Sequence, residues 1–141
     1  MSISIRITLA GFEGRWVLRR HIDDRLGGQL GMFEGHADFC ETHGGLSYRE
    51  EGWLTLGSST PLFASREYRW REEGGRIAVD YADGRPFHDF VPAEGAAFHA
   101  CDPDSYCVSY DFSGWSNAWR SDWAVTGPRK DYVMTTHYLR A

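Results

Sequence analysis

A chain of 141 residues with a formal net charge of −5 has room for one domain, residues 1–141, built round a single core. Its 15 Lys and Arg are scattered among 20 Asp and Glu and form no basic stripe, which argues against nucleic acid. No segment approaches the roughly 20 apolar residues of a membrane span, and the three cysteines, with no signal-peptide pattern at the start, predict reduced thiols in a cytoplasmic protein.

In chain order the elements read almost wholly as strands. Arg15 to Ile22 alternates with Trp16, Leu18 and Ile22 on one side. Asp23 to Gln29 is the one stretch that could hold a short helix, weakened by Gly27 and Gly28. Leu30 to Glu41 sets Phe33, Gly35, Ala37 and Phe39 on one face, and Leu46 to Leu56 adds a third strand. From residue 66 onward, turn residues fix the hairpin registers. A turn around Glu73-Gly74 pairs Trp70 with Ile77. Asp83-Gly84 pairs Val79 with His88 and Ile77 with Phe90. Pro92 to Gly95 pairs His88 with His99, and Asp102 to Ser105 pairs His99 with Val108. Ser113 to Ser116 pairs Tyr110 with Trp119, and Thr126 to Arg129 pairs Trp123 with Tyr132.

Because opposed residues share a face, these registers gather one inner set: Arg66, Tyr68, Trp70, Ile77, Val79, Tyr81, His88, Phe90, Ala97, His99, Cys101, Tyr106, Val108, Tyr110, Phe112, Trp119, Ser121, Trp123, Val125, Tyr132, Met134, Thr136 and Tyr138. Asp80, Asp89, Cys107, Ser109, Asp111, Arg120 and Asp122 fall on the other side. About ten sequential strands, each with one apolar face, predict an all-β antiparallel up-and-down barrel. A two-sheet sandwich is the alternative.

Gly14-Arg15-Trp16 resembles the Gly-x-Trp signature of lipocalins and their calycin relatives. Lys130-Asp131-Tyr132 is similar to their Thr-Asp-Tyr motif, and Arg140 to the arginine that packs on the first-strand tryptophan. The resemblance implies a lipocalin-like barrel with Trp16 as plug and Arg140 as its cation–π cap. More closely, Gly31 to Gly35, Asp83 to His88, His99 to Tyr106 and Gly127 to Tyr132 resemble an uncharacterised bacterial lipocalin-like domain family of unknown function. That likeness brings a fold and no activity.

The inner set is chemically unusual for a solid core, because many polar tips would need partners inside. A cavity for a small amphipathic ligand, aromatic or anionic, answers that need. Arg66, Tyr68, Trp70, Tyr110, Trp119, Trp123 and Tyr132 are its candidate contacts, with Arg66 requiring either Glu50 or Glu51 or an anionic ligand. His88 and His99, with Tyr106 nearby, leave three readings open: acid–base catalysis of a cofactor-free isomerisation, decarboxylation or dehydration, a haem or metal site, or hydrogen-bonded interior histidines. The leading expectation is a binder of a small molecule that needs no resident cofactor, no nucleic acid and no membrane.

Overall fold

The computed structural model describes the backbone of residues 6–101 and 103–141, and the side chains of these except 96 and 98–101. After a short 3-10 helix, Leu9–Phe12, come ten strands: β1 (Gly14–Asp24), β2 (Gln29–Thr42), β3 (Gly45–Leu56), β4 (Leu62–Glu73), β5 (Arg76–Tyr81), β6 (Pro86–Phe90), β7 (Ala96–Cys101), β8 (Asp104–Asp111), β9 (Ala118–Gly127) and β10 (Lys130–Arg140). They form one antiparallel sheet in the order β6-β5-β4-β3-β2-β1-β10-β9-β8-β7. The fold is therefore an all-β up-and-down barrel of the lipocalin kind. Its first and last strands are zipped together, from Trp16 opposite Arg140 to Asp24 opposite Tyr132. Its seam falls in mid-chain, between β6 and β7.

Strand formation follows the alternation. Along β1 the buried side chains are Trp16, Leu18 and Arg20, and along β2 they are Phe33, Ala37 and Phe39. The region of Asp23 to Gln29 is a turn and not a helix: β1 continues to Asp24, whose carboxylate accepts the Gly27 N–H at 3.0 Å, and β2 begins at Gln29. Gly35 and Gly52 face each other across β2 and β3. A Cβ on Gly35 would lie 1.9 Å from the Glu51 carbonyl oxygen, so only glycine permits this close approach.

The registers differ from expectation by even steps. Trp70 pairs with Val79, not Ile77, because Gly74 and Gly75, both with positive φ, close a two-residue turn. Tyr110 faces Ser121, Trp123 faces Met134, and His99 faces Tyr106. Each shift is two residues, so β4, β5, β8, β9 and β10 keep their expected inner faces. Val79 opposite His88 and Ile77 opposite Phe90 stand as predicted. Past Val79 a bulge shifts the register, and Phe87 turns inward beside His88, both buried.

One end of the barrel is sealed. Phe12 is fully buried among Phe39, Trp70, Phe112, Trp115 and Trp119. The Trp16 indole N–H donates to the Phe12 carbonyl at 2.9 Å. Arg140 lies over the Trp16 ring, 3.8 Å from its centroid, and its guanidinium donates to the carbonyls of Gly11 and Glu13 at 2.8 and 2.9 Å. Arg140→Ala removes the cation–π contact and both backbone clamps and should cost about 2–4 kcal/mol. The exposed pair of Arg120 and Asp122, at 3.0 Å, is the control: Arg120→Ala should cost under about 1 kcal/mol. Urea unfolding of the two variants checks the contrast.

Candidate functional site

The middle of the barrel is held by a charged pair. Arg20, on β1, lies between the inward Leu18 and Ile22 and is itself buried. Its guanidinium donates to both Glu50 carboxylate oxygens, at 2.6 and 2.9 Å, and its Nε donates to the Thr136 hydroxyl at 2.8 Å. Tyr48 donates to Glu50 at 2.6 Å and lies 2.9 Å from the Tyr138 hydroxyl. β1, β3 and β10 thus share one polar layer, with both carboxylate oxygens of Glu50 engaged. Burial alone would raise the Glu50 carboxyl, but the Arg20 charge, its hydrogen bonds and the Tyr48 hydroxyl outweigh that and leave it below its ordinary value. Burial pushes the Tyr138 phenol up to about 12, so it keeps its proton.

On the sealed side of this layer the barrel is filled with rings. Trp119 stacks on Tyr138 at 3.7 Å and Phe90 on Tyr110 at 4.1 Å between centroids. What remains is a cavity of about 20 Å³ bordered by Arg66, Tyr68, Trp70, Tyr110, Trp119 and Trp123, together with Glu50. That is room for one water-sized group. The expectation of a roomy interior is therefore corrected: aromatic volume occupies most of it.

A larger space than this cavity lies at the open end, where the connections 25–28, 57–61 and 128–129 emerge. A chamber of about 420 Å³ is bordered by Ile22, Leu56 and Met134, by the Tyr132 ring, and by Arg66, Arg129 and Lys130, with Asp24 as the acidic member. Asp24 is engaged by its own turn. Lys130 is paired with Asp104 at 3.1 Å and donates to the Tyr106 hydroxyl at 3.2 Å, contacts that raise its pKa and keep it a cation. Arg66 and Arg129 form no ion pair with any described residue.

The sequence places Arg66 inside, with Glu50, Glu51 or an anionic ligand as its partner. It stands opposite Glu50 on the strand ladder but is exposed at the open end, because Arg20 already occupies the Glu50 carboxylate. It borders both the chamber and the small cavity. His88 does not face His99 across a ladder, since β6 and β7 are the two edges of the sheet. The His99 and Cys101 side chains lie outside the described residues. His88 Nε2 is 2.7 Å from the Tyr110 hydroxyl, and burial raises the Tyr110 pKa well above its usual value, which keeps that phenol protonated. Tyr106 belongs with Lys130. His88 and Tyr106 border neither the chamber nor the small cavity. Among the described residues no group of three or more His, Cys, Asp or Glu could hold a metal.

Sequence reasoning passed over Arg20, Glu50 as its partner, Phe87 and Arg129. The signal for Arg20 was its parity with Leu18 and Ile22 on one strand. A charge at an inward position demands a carboxylate on a neighbouring inward position, and Glu50 was the nearest.

The chain belongs to the family of unknown function DUF6314, whose sequence model matches residues 12–140. No curated protein matches it. Among solved structures it is similar to the S-type phycobiliprotein lyase CPES from Guillardia theta, with a TM-score of 0.65 over 94% of this chain and 90% of that one. The identity is 9%, so the likeness is one of fold. Among the described residues no helix is long and apolar enough to cross a membrane.

Glu50→Gln leaves the Arg20 charge buried without its counter-ion and should cost about 3–5 kcal/mol at neutral pH. The Glu50 pKa is lowered on folding, so its contribution is full above the unfolded value of about 4.3 and fades as pH falls through the folded value. The stability gap between wild type and Glu50→Gln should therefore narrow below about pH 4. Denaturant midpoints across that range check both the size and the sign, and a gap that widens in acid would refute the assignment.

Proposed function

We propose that this member of DUF6314 binds a small amphipathic anion at the open end of its barrel. The observation that carries the reading is the chamber itself. Its volume of about 420 Å³ suits a small ligand, since such sites run from roughly 300 to 1,000 Å³. Its floor of Ile22, Leu56 and Met134 is apolar, and Arg66 and Arg129 stand at its wall without a carboxylate partner among the described residues. In a chain of net charge −5, cations that form no close ion pair among the described residues, set beside an apolar floor, favour a carboxylate or phosphate on an apolar body. Tyr132 offers a ring for the ligand to lie against. Tyr68, Trp70, Tyr110, Trp119 and Trp123 form the packed wall beneath.

The similarity to a phycobiliprotein lyase supports the use of such a barrel by a protein with a defined activity; what this chain holds is argued from its own chamber. The acid–base alternative, with His88, His99 and Tyr106, is less favoured because His88 and Tyr106 border neither the chamber nor the small cavity. Free thiols at Cys40 and Cys107 support a reducing, cytoplasmic setting.

Calorimetric titration with octanoate, octyl phosphate and the neutral octyl glucoside tests the reading. The two anions should bind, with the stronger naming the head group, and the glucoside should not. Arg66→Ala removes a charge-assisted contact of about 1.5–3 kcal/mol and should weaken the anions roughly tenfold or more. Equal binding of the neutral amphiphile, unaffected by Arg66→Ala, would sink the proposal.

A further inference from the structure

We propose that the outer wall of β2, β3 and β4 beside the barrel's open end is a docking surface for a lipid bilayer that carries anionic head groups. The contact is peripheral, since among the described residues no helix is long and apolar enough to cross a membrane. The inference goes beyond the reading of the chamber and does not depend on it.

Strand parity brings a set of apolar side chains to this wall and leaves them uncovered. On β2, Leu30 and Met32 point to the side opposite the buried Phe33. Trp53 on β3 and Phe63 on β4 are directly opposed, with ring centroids 5.8 Å apart. Met32 is opposed to Thr55, two residues along β3 from Trp53, so it shares their face. Leu62, the first residue of β4, stands beside Phe63 at the rim, opposite Leu54. Leu30 is 72% exposed, Leu62 63%, Trp53 58% and Phe63 55%. None of these five borders the chamber. Single apolar side chains on a surface need no explanation, but neighbouring ones mark a contact.

The occupant follows from the charges around the patch. The three connections at the chamber, residues 25–28, 57–61 and 128–129, carry Arg25 and Arg129 and no acidic residue, although the whole chain has a net charge of −5. Glu34, opposed to Trp53, lies 4.0 Å from Arg19, and Asp23, opposed to Leu30, lies 3.8 Å from Arg25. The acids nearest the patch are thus answered on the protein itself. Arg66 and Arg129, both exposed, form no ion pair among the described residues. The connection 57–61 reads Gly-Ser-Ser-Thr-Pro, so it brings no charge to desolvate in the head-group layer. Exposed Trp, Phe and Leu beside arginines match a bilayer interface, where rings settle at head-group level and guanidinium groups meet phosphates. A second copy suits this end less well. A two-fold contact there sets the surface on itself and brings like arginines together. Docking also turns the chamber's mouth toward the layer in which amphipathic anions partition.

Flotation with vesicles of phosphatidylcholine alone, and of phosphatidylcholine mixed with phosphatidylglycerol, tests the surface. The chain should float with the mixed vesicles, and less with the neutral ones or at high salt, which screens the arginines. Trp53→Ser with Phe63→Ser removes both exposed rings and should lower partitioning roughly tenfold or more. Val17→Ser with Leu139→Ser, an exposed apolar pair toward the sealed end, should leave it unchanged. Leu30→Ser with Leu62→Ser is a second patch variant, which decides should the first not fold. The ring variant should keep the wild-type affinity for octanoate, so the two readings fail separately. Flotation without octanoate binding sinks the chamber reading alone, and octanoate binding without flotation sinks the docking surface alone. Flotation that both patch variants leave intact, or that the Val17→Ser, Leu139→Ser control loses equally, overturns the proposal. So does a dimer in sedimentation velocity that the patch variants dissociate while the vesicles bind nothing.

Discussion

The salt bridge from Arg20 to Glu50 divides the barrel into two environments and requires the structure to respect that division. Two charges this deep survive only with full hydrogen bonding, and three strands supply it through Thr136, Tyr48 and the pair itself. Below the layer, Phe12, Trp16 and their neighbours exclude water. Above it, the connections leave an open chamber where Arg66 and Arg129 form no ion pair among the described residues. The ion pair also explains why Arg66 is available. One carboxylate lies near two arginines, and the buried arginine takes it, because leaving a charge unpaired is far costlier inside than at a solvated rim.

The sheet was legible in the sequence because side-chain direction has a period of two. Turn chemistry located the hairpins, and its errors in loop length were even, so Trp70, Tyr110, Trp123 and Tyr132 all kept their expected side. Where the turn was sharply specified, at Asp83-Gly84, the pairing of Val79 with His88 was correct in detail. Three features were not legible. The seam depends on which neighbouring strands separate, and nothing local in Pro92 to Gly95 signals that β6 and β7 lie at opposite edges. The bulge after Val79 gave Phe87 an inner position that strict alternation denies it. The volume of the interior depends on how rings stack, and a residue inventory that suggested polar tips around a cavity proved equally suited to filling one.

For the site, the residue types were readable and their grouping was not. Arg66 and Tyr132 border the chamber, while Tyr68, Trp70, Tyr110, Trp119 and Trp123 border the small cavity. The separation arises from the polar layer, whose members Arg20 and Thr136 are 116 residues apart in the chain. No spacing rule links such positions; only the pairing of β1 with β10 does.

That pairing has a consequence for the order in which the molecule can be assembled during synthesis. β2 to β6 can each dock on a neighbour already made, but the outer flank of β1 has no partner until β10 leaves the ribosome. Until then the nascent sheet carries a free strand edge, from Trp16 to Asp24, of the kind that recruits foreign strands. Its solvent-facing side bears Arg15, Arg19 and Asp23, charges that discourage such pairing while the chain waits for its own last strand.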